Sequence, residues 1–305
     1  MTKEMMQTDT NQDFTTPALY LTLDKTFSIY RPPVPAKMFL DEPAEALEPD
    51  AETAIIYCDQ SDAMDAASPS TTPLLLSGYL RVNPRTPLTT TSGGSTEFHY
   101  VIQGSGSTEW DGGTIKWSRG DAMILPGGIE YTHRAVGDSN AVLWMCSNAP
   151  LLAFENARPA EPDSGPVGPT YFPADKIVDA LERVRTLTIQ SDGSKSTALL
   201  LSTESMAGKG VSSPSMTLVF NTVDPHQFQS PHLHNSVAVT LVLKGEKSYS
   251  IVDGERIDWS PFATFVTPAG SVHSHHNDHD QDSLFLIVQD GGLYYHCRTI
   301  GFEAR

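Results

Sequence analysis

Short runs of β-branched and aromatic residues, each cut off by Gly, Pro, Asp or Ser, recur through most of the chain, as in TFVTPAG and SLFLIVQDGG. That rhythm predicts antiparallel strands closing into barrels or sandwiches, with little helix. Two stretches depart from it. Residues 1–16 are polar and poor in large apolar groups, which predicts a mobile tail. At ENARPAEPDSGPVGPTYFP, Pro, Gly and acidic residues crowd too densely for a packed element. Immediately after it, ADKIVDALERVRTL spaces Ile177, Val178, Leu181 and Val184 as one helical stripe.

The strand pattern repeats itself. DGGTIKWSRGDAMILPGGIEYTH, from Asp111, resembles DGERIDWSPFATFVTPAGSVHSH, from Asp253, at an offset of 253 − 111 = 142 that carries Trp117 onto Trp259 and Pro126 onto Pro268. Upstream, YVIQGSG matches TLVLKGE at 245 − 104 = 141, so one residue is inserted between the two blocks. A duplication predicts two barrels in tandem. The division that follows is a tail at 1–16, a first barrel at 17–154, a linker with its helix at 155–190, and a second barrel at 191–305.

Composition adds a charge constraint. The 305 residues carry 37 Asp and Glu against 20 Lys and Arg, a formal net charge of −17. Such a surface repels nucleic acid and anionic membrane, so neither is expected as a partner. A small anionic substrate needs a local positive site, supplied by a metal or by arginine. The three cysteines, Cys58, Cys146 and Cys297, are widely spaced, which fits neither a disulfide framework nor a CxxC zinc site. With no apolar leader and no run of membrane-spanning length, a cytoplasmic protein is expected.

Histidine carries the candidate chemistry. His232 and His234 in PHLHNSVAVTLVLKGE lie one residue apart, so on a strand they project to one side and can share a metal ion. TPAGSVHSHHN adds His273 and His275. Projected back through the repeat, His232, His234 and the nearby Ala238 fall on Thr91, Gly93 and Glu97, and His273 falls on Tyr131. Three histidines in one copy and none in the other is the pattern of a site, since a requirement of the barrel itself would act on both. His275, by contrast, falls on His133.

These motifs resemble the cupin family, small β-barrels whose metal ligands come from an HxH pair and one later histidine. The resemblance covers roughly residues 75–150 and 215–300 and implies an all-β bicupin of two tandem jelly-roll barrels, with His232, His234 and His273 as ligands. Most cupins also place a Glu a few residues after HxH, where this chain has Ala238. HLHNSVAVTLVLKGE followed by TPAGSVHSHHN is similar to the gentisate 1,2-dioxygenase-like group. That likeness implies a non-haem Fe(II) enzyme of extradiol type, opening the ring of a hydroxylated aromatic acid with O2 in aromatic compound catabolism, one iron per chain, in a homo-oligomer.

In that scheme His275 is an acid or base beside the metal with a pKa near neutrality, and the other reading of the same residue is a solvated turn histidine in the polar run HSHHNDHDQD. Asn221, Gln289 and Arg298 contact substrate, with Arg298, in the C-terminal strand region YYHCRTIGF close after the second motif, preferred over Arg81, Arg85 and Arg256 as the carboxylate clamp. The arginine usual just after HxH in the group has no counterpart, since Thr240 occupies that region. Two other readings use the same residues. One is a cupin isomerase, lyase or hydrolase whose metal acts as a Lewis acid on a chelating oxyacid, and the other is a cupin that binds a small ligand without turnover.

Overall fold

The computed structural model describes residues 19–27, 31–161, 163–187 and 196–305, and the expected tail at 1–16 lies outside the described residues. The described residues up to Pro33, with the short helix Leu23–Phe27, belong to one unit, and those from Val34 to Arg305 form another. All that follows concerns the second unit.

Two barrels make up this unit, each from a six-stranded sheet and a smaller one. In the first barrel the large sheet runs Thr170–Phe172, Ala122–Pro126, Thr96–Gln103, Ala141–Ser147, Leu76–Val82, Ala54–Tyr57 in spatial order. The second barrel's large sheet runs Met38–Phe39, Thr264–Thr267, Ala238–Lys244, Ser283–Gln289, Thr217–Val223, Ser196–Leu201. Two of these strands cross over in sequence. Met38–Phe39, ahead of the first barrel, pairs with Thr264–Phe265 of the second, and Thr170–Phe172 returns from the linker to pair with Ala122–Ile124 of the first.

The central strands of the large sheets are buried on both faces, which is why they read as apolar runs without alternation. Leu76–Val82 and Ala141–Ser147 are buried at every position. Leu80, Val82, Leu143 and Met145 fill the first barrel, whereas Tyr79, Trp144 and Cys146 join a core shared with Phe220, Leu241 and Val288 of the second. Polar groups across this shared core are matched. Tyr79 Oη donates to Phe262 O at 2.6 Å, and Trp144 Nε1 donates to Thr264 Oγ1 at 3.0 Å.

The helix expected after the linker forms at Ala174–Leu187. Ile177 and Leu181 are buried and Val184 is half-buried, but Val178 is 56% exposed, so the packed stripe is narrower than its spacing predicts. Asp121 of the first barrel fixes the helix start. Its carboxylate accepts from Ala174 N at 2.8 Å and from Tyr171 Oη at 2.7 Å, satisfying an N-terminal amide that the helix leaves unpaired.

Candidate metal centre

Strand parity decides what the second barrel encloses. On Thr217–Val223 the even residues Leu218 and Phe220 enter the shared core, so Val219 and Asn221 face inward; on Ala238–Lys244 the inward residues are Ala238, Thr240 and Val242, and on Ser283–Gln289 they are Phe285, Ile287 and Gln289. Val223, Val242, Trp259, Phe265 and Phe285 pack into a plug. Beyond it a cavity of about 200 Å³ remains, walled by Val219, Asn221, Ala238, Thr240, Ile287 and Gln289 from the large sheet and by the histidines from the small one.

His232 and His234 lie on strand Gln227–His234, and His273 is His232's direct partner on His273–Asn277. One ring nitrogen from each of the three lies within 4.8 Å of the others, the one such cluster among the described residues. Backbone carbonyls decide which nitrogen that is. Nδ1 of His232 sits 2.8 Å from Ser230 O, Nδ1 of His234 2.7 Å from Ser236 O, and Nδ1 of His273 2.9 Å from Ser271 O. A carbonyl can only accept, so each Nδ1 carries the proton and each neutral ring keeps its lone pair on Nε2.

Burial keeps the rings neutral. It lowers the pKa of all three, that of His273 to about 3, with the neighbouring His232 adding repulsion. Three neutral imidazoles with fixed tautomers fit a divalent transition metal, which needs unprotonated nitrogen donors. Among the described residues no Lys, Arg, Asp or Glu lines the cavity, so a cation held there would meet no carboxylate from the protein.

The other expected site residues divide. Asn221 and Gln289 are in the wall. Gln289 Nε2 lies 3.1 Å from His234 Nε2, and since that nitrogen holds a lone pair, the amide donates to it. A metal ion and this amide compete for one lone pair. Replacing Gln289 with Leu is therefore expected to tighten metal binding up to about fivefold, the worth of one ordinary hydrogen bond, as read by metal titration under nitrogen.

Arg298 is not in the wall. It follows helix Gly292–Cys297 in a left-handed conformation (φ 60°), where a strand was expected. Its exposed side chain turns back to His296 O and lines an adjoining cavity. The other arginines are also elsewhere. Arg256 bonds Asp258 at 2.7 Å and stacks on Tyr249, while Arg81 is buried in the first barrel.

His275 faces the cavity from beside His273, and its pKa is not near neutrality: full burial, then repulsion from His273, pushes it well below the ordinary value. Its Nδ1 is 2.8 Å from Ser250 Oγ, which also accepts from Trp259 Nε1 at 2.9 Å. The first barrel builds the same brace. His133 Nδ1 is 2.9 Å from Thr108 Oγ1, which accepts from Trp117 Nε1 at 2.9 Å. All three members recur at the offset of 142, so the brace belongs to the duplicated barrel and the cluster of three histidines does not.

At the matching place in the first barrel, Tyr131 occupies the position of His273 and its hydroxyl donates to Pro126 O at 3.0 Å. Register sets Thr90 opposite Tyr131, rather than the Thr91 given by the sequence offset. Glu97, opposite Leu125, matches Ala238, opposite Thr267, and its carboxylate lies 2.7 Å from the buried His99.

The Cupin_2 (cupin domain) family model matches residues 79–147 and again 219–289. The chain is a bicupin. It is 35% identical over 85 residues to the 1-hydroxy-2-naphthoate 1,2-dioxygenase of Nocardioides sp. (strain KP7), covering 28% of this chain and 22% of that one. It is 27% identical over 131 residues to a gentisate 1,2-dioxygenase of Ralstonia sp., covering 43% and 37%. These matches span well under half the length of those curated relatives. Among solved structures, the bicupin superposes on the salicylate 1,2-dioxygenase of Pseudaminobacter salicylatoxidans with a TM-score of 0.73 at 14% identity, covering 89% of this chain and 88% of that one. Among the described residues no helix is long and apolar enough to cross a membrane.

Proposed function

We propose that this bicupin is a non-haem Fe(II) dioxygenase that opens the ring of an aromatic acid bearing a hydroxyl next to its carboxylate. The observation that carries the proposal is the trio of Nε2 lone pairs fixed by Ser230, Ser236 and Ser271 in a wall without charged residues. The relatives named for 1-hydroxy-2-naphthoate, gentisate and 5-nitrosalicylic acid share one chemical feature, an ortho-hydroxy carboxylate able to chelate a metal through two oxygens. With no arginine in the cavity, such a chelate is also how the substrate's negative charge would be matched.

When bound, ferrous iron supplies two things, a chelation centre for the substrate and the means of reducing O2. His232, His234 and His273 would hold it through Nε2. Val219 and Ile287 offer an apolar wall to the ring, and Asn221 and Gln289 offer amides to the substrate's oxygens. His275, clamped by Ser250 and kept neutral by burial, presents its imidazole beside the cluster to hydrogen-bond the bound acid rather than to take its proton. The ring bond between the carboxylate-bearing and hydroxyl-bearing carbons breaks, and both atoms of O2 enter the product. No outside reductant is needed, because the ring supplies the electrons. The extradiol-type expectation is kept in that sense only, since the bond lies outside any pair of hydroxyls.

The first barrel serves as a packing partner through the shared core, without a metal. A cytoplasmic homo-oligomer completes the proposal. The test is anaerobic loading with Fe(II), followed by oxygen-electrode assays with salicylate, gentisate and 1-hydroxy-2-naphthoate. One equivalent of O2 consumed per acid is expected. Equal turnover with and without oxygen would replace the dioxygenase by Lewis-acid chemistry on the same chelate.

A further inference from the structure

We propose that residues 299–302 form a strap across the mouth of the metal cavity, latched by Asn235, and that Ile300 and Phe302 within it set the size of aromatic acid admitted. The proposal deepens the reading above and rests on it.

The strap is hydrogen-bonded to the strand that carries two of the ligands. Strand Phe302–Ala304 runs antiparallel to it, with Phe302 opposite His234 and Ala304 opposite His232. His232 therefore has His273 on one side and the strap's strand on the other. Asn235, next in sequence after His234, fastens the segment just before. Its Nδ2 donates to Thr299 O at 2.9 Å, its Oδ1 accepts from Gly301 N at 2.8 Å, and its own N donates to Gly301 O at 3.2 Å. A short polar side chain there binds both directions of the strap's backbone.

Ile300, Gly301 and Phe302 line the cavity, yet Ile300 is 37% and Phe302 67% exposed. They form a wall one residue thick, with the metal site on one face and water on the other. The Phe302 ring stacks on His232, centroids 5.2 Å apart at 28°. All three residues of Phe302–Ala304 are exposed, so its hydrogen bonds compete with water, and segments of this kind open without unfolding the core. At its near end the strap is anchored. Gly292 N donates to Ser215 O at 3.1 Å, and a side chain on Gly292 would collide with the backbone of Ser215 and Met216.

The experiment uses the metal-loaded full chain. By hydrogen exchange, Asn235→Ala should speed exchange across 299–305 at least about fivefold, the loss expected for two hydrogen bonds, while metal stoichiometry stays at one. Phe302→Ala should raise the ratio of kcat/KM for 1-hydroxy-2-naphthoate over salicylate at least about tenfold, the range one side-chain change sets in an apolar pocket, and Phe302→Leu should move it less. Under nitrogen, 1-hydroxy-2-naphthoate should slow exchange at 299–305 in the wild type. Exchange that ignores Asn235, or a ratio that ignores Phe302, overturns the strap. A wild type that oxidises none of the acids overturns the dioxygenase reading instead, and the nitrogen exchange experiment then decides the strap alone.

Discussion

Replacing His234 with alanine is expected to abolish metal binding and to lower kcat/KM by at least about a thousandfold, more than the 10- to 100-fold typical of residues that only support a ligand. Two imidazoles would remain, and the ring lost is the one tied most closely to its surroundings. Its Nδ1 is fixed by Ser236 and its Nε2 already accepts from Gln289. Metal analysis after anaerobic loading, beside oxygen uptake, checks both halves. Iron retained at one per chain in His234→Ala would remove this residue from the ligand set. His276→Ala is the control, because that ring is stacked between Phe228 and Tyr249 on the barrel's outside and bonds Ser274, away from the cluster.

Much of this was legible in the sequence because duplication supplied its own control. Where the two copies agree, as at Trp117 and Trp259 or His133 and His275, the shared residue holds the barrel together. Where they differ, as at Tyr131 and His273, only the second copy brings three ring nitrogens together among the described residues. The brace shows the limit of that comparison. Thr108 and Ser250 play one part through one oxygen, but their letters differ, so the link between Trp and His was hidden until the side chains were placed. A similar one-residue slip separates Thr91 from Thr90, because strand pairing follows hydrogen-bond register and the bulge between Gln229 and His232 shifts it.

Residues 298–305 were illegible for a different reason. Three exposed residues, FEA, have no period of their own, and the strand forms because His232–His234 presents a free edge to pair with. Arg298 illustrates the same dependence on context. Its place after YYHC suggested a strand aimed at the pocket, whereas Gly292–Cys297 winds into a short helix whose end turns the arginine outward. The charge argument survives that correction in another form, since an anion entering a wall without arginine depends more heavily on the metal.

Arg81, on the sequence a candidate for holding a carboxylate, is expected instead to be among the most costly residues to remove for stability. It is 1% exposed, and its guanidinium donates to Ala51 O and Pro49 O at 2.9 Å, to Ala46 O at 2.9 Å and to Glu48 O. Ala46 lies in the last turn of helix Asp41–Leu47 and Glu48 caps it, so one cation satisfies carbonyls the helix leaves unpaired. Arg81→Met keeps much of the volume but strips donors from four carbonyls, one buried and three partly buried, a loss of about 3 kcal/mol. For a chain of this size that lowers Tm by roughly 5 °C. The variant should still bind one metal at low temperature, because helix Asp41–Leu47 packs on the first barrel and none of its residues lines the histidine cavity. Calorimetry beside metal titration separates the two effects: an unchanged Tm would show that water replaces the guanidinium at no cost, and a lost metal site would show that the two barrels do not hold their shapes independently.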